Sequence, residues 1–134
     1  MESVKPPPTC MSFRVAQVEP YIRAEFTGIV DTADLLRAAA AADEIEEARS
    51  HARNRLIDLS AATELAVNFE DVDRLARSRA KSILPVPVRT AIVAPGPVQF
   101  GIGRMYQSLM ANPSIEVCVF RTETEALAWI GAAR

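Results

Sequence analysis

The chain is poor in the residues that most often carry chemistry. Its 134 residues include one histidine, His51, and two cysteines, Cys10 and Cys118. These cannot supply the four ligands of a typical structural zinc site, and their spacing motivates no disulfide. Cys118 falls inside an apolar strand pattern and reads as a small core residue. Aromatic residues make up only 6% of the chain, and none alternates with basic residues as a base-stacking platform requires. The net charge is −2, so no overall positive field recruits nucleic acid. No apolar run approaches the roughly 18 residues of a membrane span. The opening MESVKPPPTC has no apolar centre for a signal peptide. These absences point to a cytoplasmic protein with no metal or cofactor.

What is present is an ordinary globular composition, 49% hydrophobic and 24% charged, at a length that suits one domain. Residues 1–9 read as a disordered leader, because Pro6, Pro7 and Pro8 remove amide donors and fix φ. Residues 10–134 form the single domain. Met11 to Val18 reads as a first strand, Glu19-Pro20 as a turn, and Tyr21 to Thr27 as an alternating second strand ended by Gly28. The short connection makes the pair an antiparallel hairpin. Asp31 or Thr32 caps a helix reaching about Ser50, with Asp34 in its first turn. Arg55 to Leu59 is a short third strand, and Ser60 to Val67 a loop.

Asn68 and Asp71 open a second helix with a buried stripe of Phe69, Val72, Leu75 and Ala76. Arg74, Arg77, Arg79 and Lys81 gather toward its end, where cations complement the helix dipole, a structural reading preferred over the alternative of an anionic partner. Pro85 and Pro87 stop this helix, and Val88 to Ala94 is the fourth strand. A third helix follows Pro97. Ile115 to Phe120 is a fifth strand, apolar enough to be buried on both faces. Thr122 and Glu125 cap the last helix, which Trp129 and Ile130 dock on the sheet. The order ββαβαβαβα specifies an α/β fold with a mostly parallel five-stranded sheet, its first strand antiparallel.

This order, closed by a T-x-x-E-A-x-x-W-I helix, resembles the STAS superfamily, the fold of anti-sigma-factor antagonists, and small bacterial STAS-like proteins of uncharacterised function. The matching pieces are G-x-V-D-T before the first helix, L-I-D-L-S, A-I-V-A, F-G-x-G-R-M-Y, and V-F-R-T-E-T-E-A-L-A-W-I. The CRAL-TRIO lipid carriers are a more distant similarity. In the antagonists a phosphorylated serine opens the second helix. Here the corresponding stretch is Ala66-Val67-Asn68-Phe69, without a hydroxyl.

Ligands of open α/β sheets bind outside the carboxyl ends of the strands. Asp58, Ser60, Thr63 and Asn68 are the candidate ligand or switch residues of that rim. Ser60 has no evident activating base, and no nucleophile elbow is present. Gly101 and Gly103 lie inside the third helix rather than before it, and Pro95 and Pro97 remove amides from the preceding turn, so a nucleotide-binding loop is excluded. No catalytic residue is expected, and the protein reads as a non-enzyme.

On the third helix, Val98, Gly101, Ile102, Met105 and Leu109 form an expected core stripe. Gly103, Tyr106 and Met110 widen its apolar arc to roughly 200°, against somewhat over 100° for one buried face. Phe100, Gly103, Tyr106 and Met110 are therefore candidate interface residues, for a homodimer or another protein. Two functions follow. The first is a regulatory module acting through protein contacts. The alternative is a carrier or sensor of a small apolar, lipid-like ligand.

Overall fold

The computed structural model describes residues 12–49, 53–84 and 86–132. The expected leader, Met11, Cys10, His51 and Pro85 lie outside those residues. Five strands, β1 (Phe13–Val18), β2 (Tyr21–Asp31), β3 (Asn54–Ala66), β4 (Val88–Val93) and β5 (Ile115–Phe120), form one sheet in the order β1-β2-β3-β4-β5. Four helices, α1 (Thr32–Arg49), α2 (Phe69–Ala80), α3 (Pro97–Leu109) and α4 (Glu123–Gly131), complete the order ββαβαβαβα. β1 pairs antiparallel with β2, from Phe13 opposite Phe26 to Val18 opposite Tyr21, across a turn with a cis Glu19–Pro20 bond. The other three pairings are parallel.

Successive parallel neighbours joined by right-handed crossovers place their helices on one face of the sheet. α1 and α3 accordingly share a core with Phe26, Val30, Leu59 and Ile92. α4 follows the last strand and turns to the opposite face. There Ala126 and Ile130 bury against Leu56, Ala91 and Val93, with Trp129 beside Phe120 at 5.5 Å between ring centroids.

The helix termini follow from side-chain capping. Asp31 and Asp34 each accept the other's backbone N–H, at 2.9 and 3.0 Å. Asn68 and Asp71 form the same reciprocal box at α2. Thr122 accepts from the Glu125 amide at α4. At the other end of α4, Arg89 donates to the carbonyls of Trp129 and Ala132, bringing side-chain donors to the helix's carbonyl end. Asn112 does the same for the end of α2, donating to the carbonyls of Ala80 and Ser82.

Four sequence expectations change. The stretch Ser60–Val67, expected as a loop, is strand as far as Ala66. β2 likewise continues beyond Gly28, and the two pair up to Asp31 opposite Ala66. Gly28 adopts φ of +70°, between register shifts at Glu25/Thr27 and Gly28/Ile29. It is a bulge in a continuing strand rather than its end. The shifts explain why the extension was hidden. Leu59, Ala62 and Leu65 are its buried residues, spaced by three instead of two.

Second, β4 and not β5 is the strand buried on both faces; β5 is an edge strand with Glu116 exposed. Third, Phe69 is 56% exposed, so the α2 stripe is carried by Val72 and Ala76. Fourth, the inward face of α3 centres on Gly103, whereas Val98 is 63% exposed. An added Cβ at Gly103 would lie 3.1 and 3.2 Å from the methyls of Val119 and 3.4 Å from Ile92. The missing side chain is what lets α3 seat against β4 and β5.

Candidate functional site

At the carboxyl rim of the sheet, β2, β3 and α4 bring one guanidinium to three carboxylates. Arg23 Nε lies 2.6 Å from Glu25, and its Nη2 lies 2.7 Å from Asp58 and 2.9 Å from Glu123. Burial opposes the charge on Arg23, but its hydrogen bonds to Glu123 and Glu25 outweigh that and hold its pKa above the ordinary arginine value. The second oxygen of Asp58 accepts from both the amide and the hydroxyl of Ser60, at 3.0 and 2.6 Å.

The structure thus brings Asp58 and Ser60 together. Asp58 is occupied on both oxygens, and the Ser60 hydroxyl is spent on a local turn of the kind serines make after strands. Thr63 is exposed on β3. Asn68 is exposed and engaged as the α2 cap. The rim is a tie between three elements, with the single cation already matched to acidic partners. Among the described residues no group of three or more histidine, cysteine or acidic side chains is placed to hold a metal ion.

The four candidate interface residues point inward. Gly103 is buried, and Phe100, Tyr106 and Met110 pack against the central core. The Gly103, Tyr106 and Met110 side of the α3 arc therefore meets the sheet and the neighbouring helix, α2, while Val98 and Gly101 are exposed. Arg121 lies over the Phe100 ring at 4.1 Å, covering its outer face.

Beneath the helices lies a cavity of about 210 Å³, partly open to solvent. Its origin is legible in side-chain size. Ala24 on β2, Ala38, Ala39 and Ala42 on α1, and Gly103 on α3 all border it. Five small residues converge where larger ones would fill the layer between helices and sheet. α2 packs mainly against α3 and roofs the space without filling it; Val72, Leu75, Ser78 and Arg79 are its lining residues there.

The cavity has a polar end. Arg55 near the start of β3 and Arg79 near the end of α2 border it together with Asp43, Thr90 and Tyr106. Arg55 is 5% exposed and Arg79 8%. Helices antiparallel to their strands put these residues near the amino ends of the strands, whereas Asp58 faces the other side of the sheet. Arg55 Nη2 lies 2.8 Å from Asp43 and 3.0 Å from Glu46. Arg79 is held more loosely, 3.5 Å from Glu46 and 3.2 Å from the Ser82 hydroxyl. Burial and then the adjacent Arg55 charge hold the Arg79 pKa below its ordinary value. Burial raises that of the Tyr106 phenol.

Sequence reasoning passed over Arg55 and took Arg79 only as one of a group of helix-end cations, although a further signal existed. Arg79 is seven residues after Val72 and three after Ala76, on the same helical face, so its charge sits on the apolar stripe. Arg55 alternates with Ile57 and Leu59 on the helix-facing side of β3. Each reads as a charge at a core position.

Comparison with known proteins gives a fold and no more. No family model matches the chain, and no curated protein does. Among solved structures, it is similar to an uncharacterised protein of the DUF3478 family from Shewanella loihica PV-4, which has a SpoIIAA-like fold. The TM-score is 0.55 at 19% identity, over 88% of this chain and 91% of that one. The protein has a STAS-like fold. Asn68, a candidate switch residue, accepts the Asp71 amide on its Oδ1 at 2.9 Å as the cap of α2. Among the described residues no helix of the STAS-like domain is long and apolar enough to cross a membrane.

Proposed function

We propose that this protein is a non-enzymatic, cytoplasmic carrier or sensor of a small, largely apolar ligand held between the sheet and its three covering helices. The supporting observation is the cavity of about 210 Å³ walled mostly by aliphatic side chains. It exceeds the roughly 150 Å³ of an apolar cavity that takes up benzene. It is smaller than the roughly 300 Å³ at which drug-sized sites begin. A single ring or a short acyl chain fits that interval.

Regulation through protein contacts has less behind it. Its two sequence arguments were the broad apolar arc of α3 and the family resemblance. Phe100, Gly103, Tyr106 and Met110 are packed inward, and Asn68 has no hydroxyl to phosphorylate.

The test is a titration with 1-octanol, followed through backbone amide resonances. Shifts should concentrate at cavity-lining Ile57, Ile92 and Ile102, and Ala39→Leu should abolish them by occupying the space. If 1-octanol leaves those resonances unmoved, and protein purified under native conditions carries no bound small molecule by mass spectrometry, the proposal fails.

A further inference from the structure

The cavity is apolar along most of its wall but ends on two arginines whose donors are incompletely used. The Nε of Arg55 and both the Nε and Nη2 of Arg79 are buried and have no hydrogen-bond partner. Arg79 itself is only 8% exposed. Buried donors in folded proteins are almost always paired, and guanidinium donors most of all.

The pairing that does exist is uneven. Arg55 has two carboxylate contacts at 3.0 Å or less. The best carboxylate contact of Arg79 is 3.5 Å, and its contact with Asp43 is 4.0 Å. A well-formed charged hydrogen bond is shorter, about 2.7 to 2.9 Å. Of the two carboxylates, Asp43 is half exposed and so shared with solvent. Three nitrogens of the two guanidiniums are therefore without partners beside a space that both side chains border. Two of the three belong to Arg79, at adjacent nitrogens of one planar fork, the geometry that takes a carboxylate through two parallel bonds.

We infer that the ligand is an amphiphile with a single carboxylate-type head, seated on Arg79 with help from Arg55, its short apolar tail lying among Leu35, Ile57 and Ile102. This rests on the cavity being a ligand site and adds the chemical class of the ligand. It also assigns an orientation, with the head at the amino ends of the strands and the tail running toward the middle of the sheet.

The experiment compares octanoate with 1-octanol at neutral pH by calorimetry, on the wild-type protein and on Arg79→Met. Octanoate should bind at least tenfold more tightly than 1-octanol. Arg79→Met, which keeps the volume and removes the fork, should erase that preference while leaving 1-octanol binding within about twofold. Ala39→Leu should remove both ligands. Equal affinity of wild-type protein for the two would overturn the headgroup assignment and leave the cavity reading standing, the vacant donors then being served by water. Binding of neither would overturn both. Octanoate binding that survives Ala39→Leu would place it elsewhere and overturn the assignment. The wild-type comparison decides the matter even if Arg79→Met does not fold.

Discussion

Arg55 and Arg79 share one buried carboxylate oxygen: Oε1 of Glu46 lies 3.0 Å from Nη2 of Arg55 and 3.5 Å from Nη1 of Arg79. Glu46 is 12% exposed. It is the inner of the two acidic groups that hold these like charges beneath α2, and it ties α1 to β3 and α2 at once.

Removing Glu46 should therefore cost far more than removing the outer acid. Glu46→Ala leaves two buried guanidiniums with only half-exposed Asp43 between them, and should lower unfolding stability by about 3 kcal/mol. Asp43→Ala, at a site half open to water, should cost less than about 1 kcal/mol. Urea midpoints of the two variants check the order; equal losses would contradict it.

The Arg23 cluster on the other face of the sheet makes a parallel case. Arg23→Met leaves Glu25, Asp58 and Glu123 facing one another without a cation, Asp58 being the most buried of the three. A loss of about 2 kcal/mol at neutral pH is expected. Glu123→Gln, on a side chain 46% exposed, should fall within about 0.5 kcal/mol of wild type. Thermal unfolding at moderate salt distinguishes them.

The two glycines of α3 should respond with opposite signs. Gly101 is exposed and an added Cβ would meet nothing within 4 Å. Gly101→Ala should stabilise by up to about 1 kcal/mol through helix propensity. Gly103→Val drives methyls into Val119 and Ile92, already 3.1 to 3.4 Å from the Cβ position, and should cost about 2 kcal/mol. Denaturant midpoints measured side by side settle the signs.

Asp34 gives a pH signature. Burial disfavours its charge, but hydrogen bonds from the Asp31 backbone and the Ser12 hydroxyl, and the charge of Arg37 2.7 Å away, outweigh that and leave the carboxyl more acidic than usual. A folded-state pKa below the unfolded one, about 3.9, makes ionised Asp34 stabilising above that pH. The contribution is lost as pH falls through the unfolded value toward the folded one. Asp34→Ala should be less stable by about 2 kcal/mol at pH 7, and the gap should narrow at pH 3. A gap that stays constant or widens on acidification would refute this assignment.

Most of the architecture was legible in local patterns. The strand pattern from Val88, the Asn68–Asp71 and Thr122–Glu125 caps and the closing Trp129–Ile130 pair each rest on neighbours within four residues, the range over which turns and caps act. The extension of β3 was not legible, because the bulges beside Gly28 break the period that marks a strand. The inward face of α3 was misplaced by about one residue for a related reason. A glycine at the centre of a buried face carries no apolar signal of its own, so the stripe was drawn through Val98 and Gly101 instead of Gly103.

The candidate site was the least legible part. By itself the chain determined the order of strands and helices and the antiparallel first strand, since these depend on residue types at short spacing. The cavity depends on distance in space. Ala24, Ala38, Ala42 and Gly103 are unremarkable along the chain, and they leave a void only because β2, α1 and α3 converge on one layer. Arg55 and Arg79 are 24 residues apart and become a pair of under-used donors only when α2 closes over β3. Tertiary packing alone could reveal that, because burial turns an ordinary surface charge into one that needs a partner.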